Sequence, residues 1–595
     1  MSHHHTLVAT TMTVLIAVTG VPHAARADAS RHQRAVTEIT LIHMGDIHGH
    51  LMPRPHLRSD GTGRLEGGLA RVHTTIARIR RTCSSPRGEV RDDQSGEKQR
   101  NCLLINTGDT IQGSAEALYT RGGALTEVLN LFRIDYFAPG NWDFVYGTER
   151  FIEMFAGTRP IARWNALAAN LYYDGPPYEN KTGKRVLPPY RTEHVGNVKV
   201  GILGFTTDRG PQTVGNEVTR GFRFTKGDDE LAQFVPILRE QEKVDLLLMI
   251  SELGLSNNIR LAEKYPGVDV ILSADMHEET REPVVTSTGT IVCEVGQDGT
   301  RVGELNLTLM EGAILDWGYI FHVIDSRIPQ NRFITKKIEQ IRKPFVTGRA
   351  FKRHVNPFNG TRLATPIDTV VGHTRLGLHR SNFSHEDMPA VIEGSSHAFL
   401  TDAFRAMANA DIGLIRGFRY GTHVAPGPIT LEDIYHYIPI GPFIARGEVT
   451  GATIKDVIEN SADGSLNPDP FNWTGGWLFN WSGLTYDLDP YAARGARAQN
   501  IQVNGVPLDR AAIYTIASYN YASEPNLINK IPALNVVRVT DDFGNPIDGT
   551  EVVVRYLDLY GPVDPILHRV RLLAPLPEPL YGFPELQPLH GAVRR

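Results

Sequence analysis

The stretch "ITLIHMGDIHGH", residues 39–50, joins a run of apolar residues to two potential metal ligands. The apolar part is typical of a buried β-strand, and Asp46 and His48 follow it directly. Open α/β sheets place their ligands outside the carboxyl ends of their strands. The stretch therefore predicts an α/β domain whose functional groups lie at one edge of its sheet.

The same arrangement of an apolar run followed by polar residues recurs at four later points. These are Asp109 in "NTGDT", Asn141 in "GNWD", Glu252 in "ISELG", and Asp275 with His277 in "SADMH". Two metal ions a few ångströms apart need one bridging carboxylate and further oxygen and nitrogen ligands. The repeated pattern therefore predicts a metal site built from successive strand ends.

The turn "GNWDFVYG", residues 140–147, is unusual for such a site. Asn141 and Asp143 present oxygen ligands beside the bulky Trp142. A hydrolase that binds metal at this turn would use a nearby proton donor, and histidine is the usual choice. The tryptophan at this position either reflects a substrate that needs no such donor or only packs the turn.

Apolar strand patterns alternate with helical patterns such as "GGLARVHTTIARIRR" over residues 36–330, which predicts the α/β domain. Residues 331–365 form a predicted linker helix and loop, and residues 366–560 a second, mixed α+β domain. A Pro-rich tail, expected to be extended, occupies residues 561–595. Residues 1–27 combine an apolar run with an Ala-x-Ala site, which predicts a signal peptide, with an uncleaved membrane anchor as the alternative.

Net charge and cysteine positions restrict the classes of protein that the chain can belong to. The net charge is −5, with 61 Lys and Arg against 66 Asp and Glu, so nothing indicates a general nucleic-acid binder. We expect no membrane association after signal cleavage. Cys83 and Cys102 flank a polar loop and would form a disulfide in an oxidising compartment. Cys293, in an apolar strand pattern, is expected to be a buried small hydrophobe.

The order Asp-x-His, Gly-Asp, Gly-Asn-x-Asp and then a late histidine resembles the calcineurin-like metallophosphoesterases. "GDTIQGS", "GPITLEDIYHYIPIG" and "VNGVPLDRAAIYTIAS" resemble their 5′-nucleotidase branch, which implies a β-sandwich flanked by helices and a C-terminal α+β domain. Within that branch, "GNWDFVYG", "GFRYGT" and "NPDPFNWTGG" are most similar to SoxB-type thiosulfohydrolases. Those exported enzymes use dinuclear manganese to release sulfate from a cysteine-bound thiosulfonate on a carrier protein.

The resemblance assigns the ligands residue by residue. Asp46 and His48 match ligands of the first metal, Asp109 the bridging carboxylate and Asn141 a ligand of the second. Glu252 and Asp275 stand where the family has histidines, and His277 matches the last ligand position. The two carboxylates would make the second site favour Mn²⁺, Mg²⁺ or Ca²⁺ over Zn²⁺, or leave it without metal.

The resemblance also assigns the other site residues. Asp109, Asn141 and Trp142 form the expected catalytic set. Nucleotidases have a histidine at position 142 and an aspartate at position 145, where this chain has tryptophan and valine. Arg419 matches an arginine that binds the anionic group of the substrate. Arg416 is a further candidate or a surface charge, and Tyr521 or Tyr519 would stack on the substrate.

We therefore expect a periplasmic or secreted metallohydrolase with two divalent metal ions, manganese foremost, and a second site that is weak or empty. Its partner would be a small anionic substrate or a sulfur-carrier protein. The first hypothesis is hydrolysis of a thiosulfonate, as in sulfur oxidation. The alternatives are a 5′-nucleotidase or phosphomonoesterase of nucleotide catabolism, and a binding protein without catalytic activity.

Overall fold

The computed structural model describes residues 36–57, 63–83, 101–379, 392–416, 423–466 and 478–576. The predicted signal peptide, Arg419 and the end of the predicted tail lie outside these residues. Among the helices that are described, none has the length and apolar character needed to cross a membrane.

Two six-stranded sheets form the first domain. The first sheet contains, in spatial order, Ala313–Val323, Arg301–Met310, Val36–Met44, Cys102–Asn106, Tyr136–Phe137 and Asn165–Ala166. The second contains Val284–Val285, Ile291–Glu294, Val270–Ser273, Leu246–Ser251, Val198–Phe205 and Tyr190–Val195. The strands that precede the predicted ligands run parallel to their neighbours in the order Val36–Met44, Cys102–Asn106, Tyr136–Phe137 in the first sheet and Val198–Phe205, Leu246–Ser251, Val270–Ser273 in the second. Their carboxyl ends therefore lie at one edge of each sheet.

The two sheets pack face to face over one apolar cluster. Leu41 and Ile105 of the first sheet meet Ile202, Leu248 and Leu272 of the second in this cluster. Strands that are buried on both faces carry continuous apolar runs rather than alternating ones, which explains the sequence pattern. Cys293 belongs to the same cluster and is fully buried, which confirms its expected role as a small hydrophobe.

Helices cover the outer faces of both sheets. Leu69–Thr82 places Leu69, Val72, Ile76 and Ile79 on one buried face because these positions recur at helical spacing. The remaining helices of this domain are Ala115–Thr120, Gly123–Leu129, Thr148–Phe151, Gly210–Val214, Asp228–Pro236 and Leu255–Lys264. Short 3₁₀ or π segments span Asn130–Phe132, Trp142–Phe144, Ile152–Ala156, Glu179–Lys181 and Ile237–Gln241. The predicted sandwich flanked by helices is thus confirmed.

The linker helix is Arg332–Arg342, and a second domain follows. Its central sheet contains Phe479–Ser482, Ile412–Arg416, Ile513–Asn520, Phe443–Thr450 and Leu534–Arg538. A four-stranded sheet contains Val506–Pro507, Ala498–Val503, Leu484–Leu488 and Val570–Leu572. The helices are Ser395–Ala408, Leu431–Tyr437, Gly451–Leu466 and Gly549–Tyr560. The predicted α+β class is confirmed.

Two-stranded ribbons complete the structure. They pair Arg54–His56 with Arg64–Glu66, Leu171–Tyr173 with Phe222–Phe224, Val370–Thr374 with Gly427–Thr430, and Leu527–Ile528 with Ile531–Pro532. The predicted extended tail contains a β-strand near its start. Val570–Leu572 pairs in parallel with Leu484–Leu488, because Val570 is apolar and fills the core of the second domain.

The two domains contact each other through the helix Leu431–Tyr437. Arg342 of the linker helix pairs with Glu116 of the first domain and Glu432 of this helix, with 2.7 Å between the charged atoms in both cases. The hydroxyls of Tyr119 and Tyr435 lie 2.7 Å apart. These buried polar contacts fix the second domain beside the strand ends of the first.

Candidate metal centre

Four of the predicted ligands converge at the edge of the sandwich. One ligand atom from each of Asp46, His48, Asp109 and His277 lies within 4.8 Å of the others, and all four side chains are buried. The Nε2 atoms of His48 and His277 are 2.9 Å apart, and Nε2 of His277 is 3.4 Å from Oδ1 of Asp46. Two imidazoles and two carboxylates facing one point are a common donor set for a divalent metal ion.

The backbone at these positions adopts a rarely populated conformation. Asp46, His48, Asp109 and His277 have φ angles of 47°, 44°, 44° and 61°, and Asp275 has 89°. Positive φ costs free energy in residues other than glycine and is found at sites where the surrounding structure imposes it. Each strand therefore ends in a sharp turn that directs its ligand toward the shared point.

Gln297 was not identified from the sequence and orients His277. Its Oε1 accepts a hydrogen bond from Nδ1 of His277, which leaves Nε2 of that ring with a lone pair directed at the cluster. Metal-binding histidines typically donate their other ring N–H in this way. Because the two residues are 20 positions apart and Gln297 lies in no known motif, no local sequence signal identifies this contact.

The turn after Ala138 positions Asp109 through its backbone. The backbone N–H of Trp142 donates to Oδ1 of Asp109 at 2.7 Å. The indole of Trp142 is partly buried and packs against apolar clusters of both domains. Trp142 thus contacts the predicted bridging carboxylate with its main chain, while its side chain fills the interface.

Asp143 does not present its oxygens as ligands, contrary to expectation. It accepts backbone N–H groups from Thr110, Ile111 and Gly140 at 2.9, 3.1 and 2.9 Å. Burial raises its pKa to about 6, against the lowering effect of these hydrogen bonds. The side chain therefore ties the turn that carries Asp109 to the turn that carries Asn141.

Glu252 brings a second carboxylate against the same turns. Its Oε1 lies 2.5 Å from where a Cβ on Gly140 would be and 2.6 Å from the corresponding point on Gly108, so only glycine fits at either position. Within the described part of the chain, neither carboxylate oxygen has a hydrogen-bond partner. Burial, followed by the charges of Asp109 and Asp46, raises the pKa of Glu252 well above its usual value.

Asp275 is engaged by other protein groups. Its Oδ1 accepts a hydrogen bond from Nδ2 of Asn141 at 2.8 Å, and its Oδ2 accepts one from the guanidinium of Arg209. Arg209 was not predicted, because "TTDRG" resembles an ordinary polar loop. The predicted second-site residues Asn141, Glu252 and Asp275 thus lie beside the first cluster, together with a cationic side chain.

The donor sets differ in how well they fit a metal ion. The first cluster fits, since an imidazole lone pair fixed by Gln297 faces two carboxylates. The second set offers Oδ1 of Asn141 and the carboxylate of Glu252, which have no hydrogen-bond partner among the described residues. Its third member, Asp275, already forms an ion pair with Arg209.

Lys530 of the second domain contacts the first domain close to Arg209 in sequence, and Arg416, which ends the strand Ile412–Arg416, acts on Lys530 through its charge. Lys530 donates to the backbone oxygens of Gln212 and Thr213, in the helix that follows Arg209. Lys530 is exposed to solvent, and desolvation by the surrounding protein, followed by the charge of Arg416, lowers its pKa to about 8. Lys530 was not predicted, because no motif surrounds it.

The remaining predicted substrate residues are only partly described. The ring of Tyr521 is half-buried and lies 6.5 Å from that of Tyr519, which packs against Phe404. Asn529, the neighbour of Lys530, donates its backbone N–H to the carbonyl of Tyr519 at 2.7 Å. The two tyrosines therefore lie near the cationic groups. Arg419 lies outside the described residues.

Cys83 and Cys102 are thiols in hydrogen-bond contact. The contact lowers the pKa of Cys83 to about 7, and the same contact raises that of Cys102. The predicted disulfide remains a prediction, and the arrangement brings its two sulfurs together.

Family models match both domains. Residues 39–279 match the calcineurin-like phosphoesterase and residues 370–526 the 5′-nucleotidase C-terminal domain. Endonuclease YhcR of Bacillus subtilis is 22% identical over 510 residues, which cover 81% of this chain. The chain spans only 37% of the length of that relative.

Solved structures share the fold. Sulfate thiohydrolase SoxB of Thermus thermophilus superposes with a TM-score of 0.73 at 20% identity, covering 90% of this chain and 97% of that one. A 5′-nucleotidase precursor from the same species gives a TM-score of 0.71 at 22% identity, covering 91% of this chain and all of that one. At these identities the likeness concerns the fold.

Proposed function

We propose that the chain, which matches the calcineurin-like phosphoesterase and 5′-nucleotidase C-terminal family models, is a metallohydrolase that acts on a thiosulfonate-type sulfur anion. The observation that carries this proposal is the turn after Gly140. Its side chains at positions 142 and 145 are an indole packed between the domains and a buried valine. Neither can donate a proton to a leaving group.

The missing donor matters because leaving groups differ. The alkoxide released from a sugar phosphate is strongly basic and benefits from general acid catalysis, which contributes about 10²–10⁴-fold. A sulfur leaving group is less basic and needs less assistance. Asp143 is the other acid in the turn, but its oxygens are occupied by three backbone N–H groups that donate to them.

The protein groups have separate tasks in this proposal. Asp46, His48, Asp109 and His277 hold a divalent metal ion, which when bound activates water and polarises a substrate oxygen. Trp142 keeps Asp109 oriented through its backbone N–H. We propose manganese, because the carboxylates of Asp46, Asp109 and Glu252 make the surroundings rich in hard oxygen donors. A second ion would have to bind next to Arg209.

Cations of the second domain would receive the anionic substrate. Guanidinium and ammonium groups suit tetrahedral oxyanions, and we propose that Arg416 and Lys530 supply them to the substrate. We propose that the substrate is carried on a cysteine of a sulfur-carrier protein and that Arg419 adds a third cation. We place the protein in the periplasm or outside the cell, on the basis of its signal-like residues 1–27.

The test compares two substrates with the Mn²⁺-loaded protein. We expect sulfate release from a peptide with a cysteine-bound thiosulfonate, and poor hydrolysis of AMP. A kcat/KM for AMP of ~10⁴ M⁻¹s⁻¹ or more, in the range of efficient enzymes, would favour a 5′-nucleotidase instead. Trp142→His should raise AMP hydrolysis by up to ~10², whereas Trp142→Phe, which supplies no proton donor, should not show this gain.

A further inference from the structure

Arg209 is a buried cation inside an otherwise acidic region. It follows the strand Val198–Phe205 and precedes the helix Gly210–Val214. Its side chain is 11% exposed, and its guanidinium contacts Asp275 and lies 3.6 Å from Oδ1 of Asp208. The charge of Glu252 also acts on it. A buried arginine is stable in such a place only when carboxylates pair with it.

The carboxylate of Asp275 accepts hydrogen bonds from this arginine and from Asn141. One oxygen accepts from Arg209 and the other from the Asn141 amide, so the predicted second-site ligands bind one another and a guanidinium. The resemblance to nucleotidases implied neutral histidines at positions 252 and 275. Replacing them by Glu252 and Asp275 adds negative charge, and Arg209 supplies positive charge at the same place.

We propose that Arg209 replaces the second metal ion, so that the centre holds one divalent ion, at Asp46, His48, Asp109 and His277, beside a fixed guanidinium. This inference rests on the proposed metallohydrolase function and specifies its metal content. A divalent ion between Glu252, Asp275 and Asp109 would lie next to the guanidinium, and the two positive charges would repel each other.

The test counts metal ions. Chelated protein is loaded with Mn²⁺ and desalted, and the ions per chain are measured by elemental analysis and electron paramagnetic resonance. We expect one ion per chain with the spectrum of isolated Mn²⁺ in the wild type and in Arg209→Lys, which keeps the charge. Arg209→Gln should bind two ions per chain and give a spin-coupled spectrum, because the substitution removes the competing cation and frees Asp275.

A matched control removes another paired arginine. Arg239 donates to Asp269 beside the second sheet, away from the cluster, and Arg239→Gln should keep one ion. Two ions with a spin-coupled spectrum in the wild type would overturn the proposal, as would folded Arg209→Gln that still binds one. If Arg209→Gln does not fold, the wild-type spectrum decides. One ion without sulfate release would refute the proposed substrate and leave this inference standing.

Discussion

Acid should destabilise this protein through His43, which lies in the strand that leads to the first metal ligands. The ring is buried, its Nε2 lies 2.9 Å from the hydroxyl of Thr107, and its Nδ1 has no hydrogen-bond partner among the described residues. Burial lowers the pKa of His43 from 6.5 to about 3. The protonated ring would place a charge and an unsatisfied N–H in the core.

The direction of the pH effect on stability follows from which state of the chain binds the proton. Below pH 6.5 the unfolded chain is protonated at His43, whereas the folded chain binds this proton only below about pH 3. The free energy of unfolding therefore falls with decreasing pH across this window, at about 1.4 kcal/mol per pH unit. Between pH 7 and pH 5 the loss due to His43 amounts to about 2 kcal/mol.

The assay is urea unfolding of the metal-free protein, followed by tryptophan fluorescence at several pH values. His43→Gln keeps a donor for Thr107 and cannot be protonated, so the wild type should lose about 2 kcal/mol more than the variant between pH 7 and pH 5. Comparing the two proteins cancels the other titrating groups, and the exposed His194→Gln should follow the wild type. Parallel curves for wild type and His43→Gln would refute the reasoning.

Two further predictions concern the metal turns and the cysteine pair. Gly140→Ala should weaken Mn²⁺ binding, measured by calorimetry, by at least ~10-fold, since the added Cβ would overlap Oδ1 of Asp109 and lie 2.5 Å from Oε1 of Glu252. Gly318→Ala, where a Cβ meets no atom within 4 Å, should bind Mn²⁺ as the wild type does. Equal Mn²⁺ affinities of Gly140→Ala and the wild type would show that the turns can adjust to the added Cβ. In an oxidising medium Cys83 and Cys102 should form a disulfide worth about 3 kcal/mol. Alkylation of both thiols in unreduced, unfolded protein would contradict this.

The first metal cluster was predictable because its ligands follow strands directly. Asp46, His48 and Asp109 each come after a continuous apolar run, and parallel strands bring such ends together. The alternation of strands and helices, the helix Leu69–Thr82 and the buried Cys293 followed from local patterns of the same kind. Local patterns of this kind depend only on neighbours in sequence, so a single chain is enough to reveal them.

The surroundings of the cluster depend on contacts between distant segments. Arg209 meets Asp275 across 66 positions, and Lys530 meets the helix Gly210–Val214 across more than 300. A charged residue in a polar loop gives no sign of such a partner. The sequence showed that tryptophan is unusual at position 142. Only the structure showed that Trp142 packs between the two domains. Sequence patterns located the ligands and did not reveal what neutralises or orients them.

The left-handed backbone at the ligand turns limits which substitutions are informative. Asparagine and aspartate tolerate positive φ better than most residues, whereas β-branched residues do not. Asp46→Asn or Asp109→Asn therefore removes a charge while keeping shape and backbone. Alanine at these positions would let the turn relax as well, and its effect would combine a lost ligand with a lost conformation. The positive φ also restricts substitution during evolution, since few side chains can occupy these turns even in a homologue that no longer binds metal.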